Sequence, residues 1–124
     1  MEKIVVDSHT LFWFLSGNPK LSRKAEDGIK SAKEVVVPSI VLMEILYILE
    51  KNNLSSRFIE ILSELKVRRY LVYPLDVEII TQTLFFSSEL EMHDRIIVAT
   101  AQMFDCPLIS KDREIKKIYP KIVW

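Results

Sequence analysis

The sequence predicts an α/β fold, in which a parallel β-sheet lies between two layers of helices as a three-layer α/β/α sandwich. Short apolar runs rich in β-branched residues recur along the chain, for example at residues 4–6 and 35–37. These runs lack polar alternation, which is typical of strands that are buried on both faces. Segments with helical spacing separate the runs, and strands that alternate with helices pair in parallel.

The length and composition indicate one folded domain. The chain has 124 residues, of which 49% are hydrophobic and 27% are charged. A chain of this size can bury a core, and this composition is typical of a globular protein rather than a disordered one. The sequence has no internal repeat, low-complexity segment or linker, so we expect a single domain over residues 1–124.

The charged residues and the cysteine count limit the possible functions. Lys and Arg together number 17, as do Asp and Glu, so the net charge is zero. This balance gives no overall attraction to nucleic acid, although it leaves room for a local basic patch. The single cysteine, Cys106, precludes an internal disulfide, and we expect it to be a small buried side chain. The sequence contains no cluster of Cys and His residues that would indicate a zinc site.

No segment has the pattern of a signal peptide or a membrane span. The chain passes directly into its first predicted strand, without a basic region and a long apolar stretch. The most apolar segment, at residues 35–49, is interrupted by Pro38, Ser39 and Glu44. It is also shorter than the ~20 apolar residues that a spanning helix needs. We therefore expect a cytoplasmic protein that does not bind a membrane.

The first half of the chain is predicted to contain two strands and three helices. In chain order these are a strand at 3–6, helices at 8–15 and 23–32, a strand at 34–37 and a helix at 40–51. Gly17 follows the first helix and is typical of a helix end. Ser22 and Ser39 precede the other two helices and are expected to cap them.

The second half is predicted to contain four helices and three strands. These are a helix at 55–69, a strand at 71–73, helices at 77–87 and 94–103, a strand at 107–109, a short helix ending at 118 and a strand at 121–124. Asp76 is expected to cap the helix at 77–87. The basic residues at 66–69 are expected to stabilise the last turn of their helix through its dipole.

Four acidic residues from distant parts of the chain are predicted to meet at one edge of the sheet. Asp7 and Asp112 follow predicted strands, Glu44 lies one turn into a helix that follows a strand, and Asp94 begins a helix after a connection. The carboxyl ends of parallel strands share one edge, where ligands bind in α/β proteins. Each aspartate has an alternative role as a helix cap. Glu44 has Arg95 as an alternative partner.

The chemistry of these acids favours a divalent metal ion. Four carboxylates in one crevice would repel one another and raise their pKa values unless a cation lay between them. All-oxygen ligands suit Mg²⁺ or Mn²⁺, which are typical of phosphodiester cleavage. Ser110 and Thr10 are hydroxyls beside Asp112 and Asp7 and are candidates to hold a metal-bound water or a phosphate oxygen, with capping as their alternative role. His93 is expected to be a surface residue or a residue that supports the site, rather than a general base. With only two glycines, the chain has no phosphate-binding loop.

Four segments carry a resemblance to a known family. They are Val-Asp-Ser-His-Thr-Leu-Phe-Trp at 6–13, Pro-Ser-Ile-Val-Leu-Met-Glu-Ile at 38–45, His-Asp-Arg-Ile-Ile-Val-Ala-Thr-Ala at 93–101 and Leu-Ile-Ser-Lys-Asp at 108–112. Because these segments occur in the order and at the spacing of the family, the chain resembles the PIN-domain nucleases, in particular the VapC-like toxins of type II toxin–antitoxin modules.

The resemblance implies a specific fold, activity and set of partners. It implies a PIN-like five-stranded sheet in the order 3-2-1-4-5, with the first strand in the centre. It implies RNA cleavage that depends on Mg²⁺ or Mn²⁺, an RNA substrate, a cognate antitoxin that blocks the site, and a homodimer. The implied catalytic residues are Asp7, Glu44, Asp94, Asp112 and Ser110, of which the four acids would bind the metal.

The sequence departs from the family pattern before the sixth helix. Many of these toxins have Asp-Pro-Phe-Asp-Arg there, whereas this chain has Glu-Met-His-Asp-Arg at residues 91–95. We therefore do not expect Glu91 to be a metal ligand. A group of basic residues near Asp112 is a candidate for phosphate contacts, with ordinary solvation as the alternative; these residues are Lys111, Arg113, Lys116 and Lys117.

Two other classes of protein fit part of the pattern. A phospho-acceptor receiver domain would use Asp76 as the acceptor and Lys111 as the phosphate-binding cation. It would need a second acid after the first strand, which this chain lacks, and it leaves Glu44 without a role. The other class is a catalytically inactive interaction module with a PIN fold, against which the complete set of four acids argues.

Overall fold

In the computed structural model, which describes residues 2–86 and 89–124, five parallel strands form one sheet in the order β3-β2-β1-β4-β5. This order confirms the predicted fold. The strands are β1 (Lys3–Val6), β2 (Glu34–Pro38), β3 (Tyr70–Tyr73), β4 (Leu108–Ile109) and β5 (Ile122–Val123). The helices are α1 (Ser8–Ser16), α2 (Arg23–Ser31), α3 (Ser39–Lys51), α4 (Phe58–Glu64), α5 (Val77–Gln82), α6 (Met92–Phe104) and α7 (Arg113–Ile118).

The first strand lies at the centre of the sheet and of the core. Val5 pairs with Val36 of β2 on one side and with Leu108 of β4 on the other. The side chains of residues 4–6 are completely buried, as expected of a strand with helices on both faces. The sheet lies between α-helical layers, with α6 packed against β1 and α2 against β4 and β5. Asp7 therefore emerges from the middle of the sheet.

Several helix ends follow the predicted local chemistry. Ser22 caps α2 by accepting a hydrogen bond from the backbone N–H of Ala25 at 3.0 Å. Asp76 caps α5 by accepting from the N–H of Ile79 at 2.9 Å. Gly17 ends α1 with φ of 66°, a left-handed conformation that glycine adopts without steric cost.

Two predictions about the connections around β3 are wrong. Ser39 does not cap α3, because Pro38 occupies the N-cap position. The Ser39 hydroxyl instead accepts a hydrogen bond at 3.1 Å from the N–H of Leu75, in the loop after β3. The fourth helix begins as a 3₁₀ turn at Ser55–Arg57 and ends at Glu64, short of the predicted residue 69. The chain must leave the helix there because β3 pairs with β2 from residue 70.

The basic segment at 66–69 lies in this connection and not in the last turn of its own helix. The Arg69 guanidinium donates a hydrogen bond to the carbonyl of Ile29. Ile29 lies in the last turn of α2, where carbonyls lack partners within the helix. Arg69 thus stabilises a helix end, as predicted for a basic residue, but it is the end of a different helix.

The boundaries of two later helices also differ from the prediction. The sixth helix starts at Met92 with Glu91 as its N-cap residue, so Asp94 lies inside the first turn and does not cap it. The fifth helix ends at Gln82 and continues as a 3₁₀ turn at Thr83–Phe85. Its predicted end at Ser87 falls outside the described residues.

Cys106 is buried, as predicted, and burial raises the pKa of its thiol to about 11. Within residues 2–86 and 89–124, the helices are all too short or too polar to cross a membrane.

Candidate active site

A cleft of about 520 Å³ opens at the carboxyl edge of the sheet, next to the end of β1. All four acids that were predicted to meet at this edge line it: Asp7, Glu44, Asp94 and Asp112. The remaining lining residues are Ser8, His9, Thr10, Trp13, Glu91, Ile97, Lys111 and Arg113. The parallel sheet and its crossover helices therefore bring acids from four separate segments to one place.

Asp7 both caps α1 and faces the cleft. One of its carboxylate oxygens accepts a hydrogen bond at 3.0 Å from the backbone N–H of Thr10. The Thr10 hydroxyl is buried and donates to the carbonyl of Ile109 at 3.0 Å. This bond joins the start of α1 to the end of β4, so Thr10 positions the two acidic segments relative to each other. Capping and facing the cleft are compatible because the cap uses a single oxygen of Asp7.

Asp112 is held by the loop that follows β4. Its Oδ1 atom accepts hydrogen bonds from the N–H groups of Glu114 at 2.8 Å and Ile115 at 3.2 Å, which caps α7. Ser110 is buried, and its hydroxyl accepts from the N–H of Asp112 at 3.1 Å. Ser110 lines a neighbouring pocket rather than the cleft itself. The structure thus places Ser110 behind Asp112, where it fixes the backbone of that acid.

Glu44 turns towards the cleft and away from its alternative partner. Its Oε1 atom accepts a hydrogen bond from the Ser8 hydroxyl at 2.5 Å. Its Oε2 atom lies 3.5 Å from Nδ1 of His93, whose side chain is 42% exposed. Within the described part of the chain, no ion pair joins Glu44 to Arg95, whose Nε is buried without a hydrogen-bond partner.

Asp94 carries the clearest electrostatic sign of a crowded acidic site. Burial raises the pKa of its carboxyl to about 6, and repulsion from Asp112, Glu44, Glu91 and Asp7 adds to this effect. Each of these acids lines the same cleft. Burial is thus the main cause of the raised pKa of Asp94, and repulsion from the other carboxylates of the cleft acts in the same direction.

The cations at the cleft do not neutralise these acids. Lys111 and Arg113 both line it, but neither comes within 4.0 Å of a carboxylate oxygen among residues 2–86 and 89–124. The side chain of His93 approaches Glu44 alone. The cleft therefore has an excess of negative charge that a bound cation would relieve.

The residues present fit a divalent metal ion by their chemistry. The donors are carboxylate oxygens from four segments, which is the ligand type that Mg²⁺ and Mn²⁺ prefer. In the described part of the chain, no three acidic, His or Cys side chains stand close enough to share one ion. Binding would therefore require the acidic side chains to move closer together, and the charge of the ion would offset the repulsion between them.

Three further residues at the cleft had no role predicted from the sequence. Ser8 is the hydrogen-bond donor to Glu44, and its position directly after Asp7 was a usable signal. His9 and Trp13 lie one turn apart on α1, so helical spacing places them on one face. Their ring centroids are 5.4 Å apart, and both line the cleft beside the acids.

Comparison with known proteins identifies the family. The sequence matches the profile of the PIN domain over residues 4–121. It is 29% identical over 121 residues to Ribonuclease VapC22 of Mycobacterium tuberculosis. The alignment covers 94% of this chain and 92% of that protein.

Solved structures share the fold at lower sequence identity. A toxin–antitoxin complex from Klebsiella pneumoniae has a TM-score of 0.73 and 22% identity, and covers 98% of this chain and 96% of that chain. VapBC from Salmonella typhimurium, bound to DNA, has a TM-score of 0.73 and 20% identity, covering 98% of this chain and 96% of that chain. VapC20 of Mycobacterium tuberculosis, a sarcin-ricin loop cleaving toxin, has a TM-score of 0.68 and 20% identity, and the match covers 92% of this chain and 93% of that chain. The resemblance seen in the sequence is confirmed, and this chain belongs to the PIN-domain family.

Proposed function

We propose that this protein is a metal-dependent endoribonuclease and the toxin of a toxin–antitoxin pair. The observation that carries the proposal is the convergence of four carboxylates from separate segments, with the pKa of Asp94 raised and no Lys or Arg in ion-pair contact with these acids in the described part of the site. The relative named Ribonuclease VapC22 and the toxin structures support the same activity.

In this proposal the four acids are the metal ligands: Asp7, Glu44, Asp94 and Asp112. Bound Mg²⁺ or Mn²⁺ would supply an activated water and stabilise the leaving oxygen of the phosphodiester. Ser8 and His93 hold the Glu44 carboxylate in the cleft. Lys111 and Arg113 lie at the same cleft and would bind the phosphate groups of the RNA.

Ser110 has a supporting role in this proposal. It was predicted as a catalytic residue, but its hydroxyl is buried and bonded to the Asp112 backbone. It would therefore act by fixing the position of Asp112 rather than by touching the RNA. A Ser110→Ala variant would keep the carboxylate but loosen the loop that carries it.

The test is an RNA cleavage assay with purified protein in Mg²⁺, in Mn²⁺ and in a chelator. We expect cleavage with either ion and none with the chelator, and we expect Asp7→Asn and Glu44→Gln to abolish it. Asp27→Asn is the matched control, because Asp27 is an exposed acid on α2 outside the cleft. Cleavage that persists in Asp7→Asn would place the activity elsewhere or in a contaminant. Correctly folded protein that binds the ion without cleaving RNA would favour the inactive-module alternative.

An antitoxin would bind next to the acidic cleft. A groove of about 450 Å³ adjoins the cleft and shares with it Ser8, His9 and Glu44. Met43 and Tyr47 are 58% and 59% exposed and both line this groove, and grouped apolar surface of this kind marks interaction sites. A partner seated there would cover Glu44. A Met43→Glu variant should retain cleavage and resist inhibition by the antitoxin.

The proposed homodimer would use a different apolar surface. Around α5, four large apolar side chains have exposed fractions between 52% and 81%; they are Val77, Ile80, Leu84 and Phe85. Such a group is a candidate protein–protein interface, since isolated monomers rarely expose contiguous apolar patches. This surface is separate from the groove that we assign to the antitoxin.

The receiver-domain alternative does not fit the structure. Asp76, the residue that would accept the phosphoryl group, is the N-cap of α5 and is absent from the lining of the cleft. Lys111 lines the cleft, so the acceptor and its predicted cation are at different places. The metal-dependent nuclease accounts for Glu44, which the receiver alternative leaves without a role.

A further inference from the structure

A second pocket of about 290 Å³ adjoins the acidic cleft on the side of α7. The two share Lys111, Asp112 and Arg113, which form the boundary between them. The second pocket adds Lys24 of α2 and Lys116 of α7, so we refer to it as the basic pocket. A chain that enters the cleft at the acids can therefore continue into the basic pocket along a single surface.

Two tryptophans connect the cleft and the basic pocket. Trp13 lines the cleft and Trp124 lines the basic pocket, and their ring centroids are 6.0 Å apart with an angle of 59° between planes. Both rings are partly exposed and pack against the hydrophobic core, which restricts their motion. Lys20 places its Nζ 5.9 Å from the centroid of Trp13. The rings thus form an aromatic wall that extends from the acidic cleft to the basic pocket.

The basic pocket has a local excess of positive charge, although the net charge of the whole chain is zero. Among the lining side chains there are four cations and a single carboxylate, that of Asp112; the cations are Lys24, Lys111, Arg113 and Lys116. Within the described residues, none of the four is within 4.0 Å of a carboxylate oxygen. Cations that cluster without partners repel one another, and a polyanion would relieve that repulsion.

We propose that the surface formed by Trp13, Trp124 and the basic pocket binds the strand that leaves the acidic cleft, and that this strand is single-stranded RNA. The inference rests on the proposed ribonuclease function and names the form of its substrate. A base would stack against Trp13 while the following phosphates contact Lys24 and Lys116. Aromatic rings beside cations suit unpaired nucleotides, since a duplex hides the faces of its bases. An acidic peptide would use the cations but not the rings.

The first experiment measures stacking directly. The chain has two tryptophans, so Trp124→Phe leaves Trp13 as the single indole fluorophore. We would titrate this variant, in chelator to prevent cleavage, with oligo(A) of about 12 nucleotides, within the range that single-strand-binding surfaces cover. Stacking should quench Trp13 fluorescence, and polyglutamate should not. Absence of quenching at saturating RNA, or equal quenching by polyglutamate, would overturn the proposal.

The second experiment separates the ring from the cations by fluorescence anisotropy with the same labelled RNA. Trp13→Leu keeps an apolar side chain in the core and should bind RNA about 10-fold more weakly. Trp13→Phe keeps an aromatic face and should retain most of the affinity. Thermal unfolding of each variant checks that the fold is intact. Equal binding by Trp13→Leu and the unmodified protein would overturn the stacking contact.

The phosphate contacts are tested by the salt dependence of binding. Loss of two contacts in Lys24→Ala/Lys116→Ala should reduce the slope of log affinity against log salt by about 1.4, since each contact with a single strand contributes about 0.7. Lys66→Ala/Arg68→Ala is the matched control, because both residues are exposed near β3 at the opposite edge of the sheet. An unchanged slope in the first variant would overturn the role of the basic pocket.

The two proposals fail in different ways. If the unmodified protein cleaves RNA but the tryptophan and lysine variants bind and cleave as it does, the binding surface is wrong and the nuclease function stands. If quenching and salt dependence follow the expectations but no metal gives cleavage, the surface stands and the nuclease function fails. If the lysine variant loses affinity for polyglutamate and not for RNA, the surface binds protein and this inference is overturned.

Discussion

The hydroxyl of Ser8 donates a hydrogen bond of 2.5 Å to the Oε1 atom of Glu44, a residue 36 positions away in the chain. Ser8 is the first residue of α1, directly after Asp7, whereas Glu44 lies in the second turn of α3. The bond joins the helix that follows the central strand to the helix that follows its neighbour β2. It therefore fixes one acid of the cleft relative to another.

We predict that Ser8→Ala reduces RNA cleavage about 10-fold and destabilises the fold by up to about 3 kcal/mol. Hydrogen bonds to charged groups contribute about 1.5–3 kcal/mol, and the variant frees the Glu44 carboxylate to leave the cleft. Steady-state cleavage rates and thermal unfolding measure the two effects. Ser16→Ala is the control, since the Ser16 hydroxyl bonds within its own helix at an exposed position. Equal loss of activity in both variants would contradict this role for Ser8.

We predict that Asp94→Asn stabilises the metal-free protein at pH 7.5. The pKa of Asp94 is raised to about 6, above its ordinary value of 3.8, so the folded state binds this proton more tightly than the unfolded state. The unfavourable contribution is therefore absent below pH 4 and grows as the pH rises through 6. Allowing for solvent screening, the gain is about 1 kcal/mol. Urea unfolding of both proteins in chelator, at pH 4 and 7.5, measures it.

An equal effect of Asp94→Asn at both pH values would contradict this origin. Asp27→Asn provides the matched control, because Asp27 is an exposed acid outside the cleft, and it should leave stability unchanged at either pH.

We predict that Mg²⁺ or Mn²⁺ raises the melting temperature of the protein in a concentration-dependent way. An ion that binds only the folded state adds about 2.7 kcal/mol of stability at 100 times its dissociation constant. The ion should also reverse the advantage of Asp94→Asn, because it neutralises the repulsion that the variant removes. Differential scanning fluorimetry with each ion measures the shift. A shift of the same size in Asp7→Asn/Asp112→Asn would mean that the ion binds elsewhere.

We predict that Thr10→Val destabilises the fold by about 1–3 kcal/mol. The Thr10 hydroxyl is buried and donates to the carbonyl of Ile109, and valine leaves that carbonyl with only the longer hydrogen bond, of 3.4 Å, from the N–H of Asp7. Chemical denaturation measures the loss. Thr81→Val is the matched control, since the Thr81 hydroxyl bonds to Val77 within α5 at an exposed site. If the two variants were equally stable, the bond between α1 and β4 would not contribute as proposed.

We predict that Leu84→Glu/Phe85→Glu makes the protein monomeric. These side chains are 81% and 77% exposed, and a charged pair at a buried dimer interface is unfavourable. Sedimentation or light scattering measures the mass. Met43→Glu, in the groove assigned to the antitoxin, serves as the control and should leave the dimer intact. A dimer that survives the first variant would place the interface on another surface.

The local features of the fold could be predicted from sequence because neighbouring residues determine them. The β-branched runs predicted the strands, and Ser22 and Asp76 predicted helix starts, since a cap bonds to a backbone N–H three residues away. The acids could be placed at one edge because a parallel sheet puts all its strand ends there. The strand order 3-2-1-4-5 does not follow from these patterns, and the family resemblance supplied it.

The features that required the structure depend on contacts between distant segments. The fourth helix ends early because β3 must pair with β2, and Ser39 bonds to the loop after β3 instead of capping its helix. The orientation of Glu44 depends on Ser8 and His93, neither of which is its neighbour in sequence.

The sequence by itself determined that this protein has an α/β fold with a parallel sheet. It also placed Asp7 at the end of a strand that is buried on both faces, with three more acids near the same edge of the sheet. The tertiary structure decided how those acids are held: Glu44 by Ser8, and Asp112 by the buried Ser110. It also brought Trp13 beside Trp124, 111 positions further along the chain. The reason is physical, since helix and strand patterns arise from short-range periodicity, whereas these contacts form only when the packed core joins separate segments.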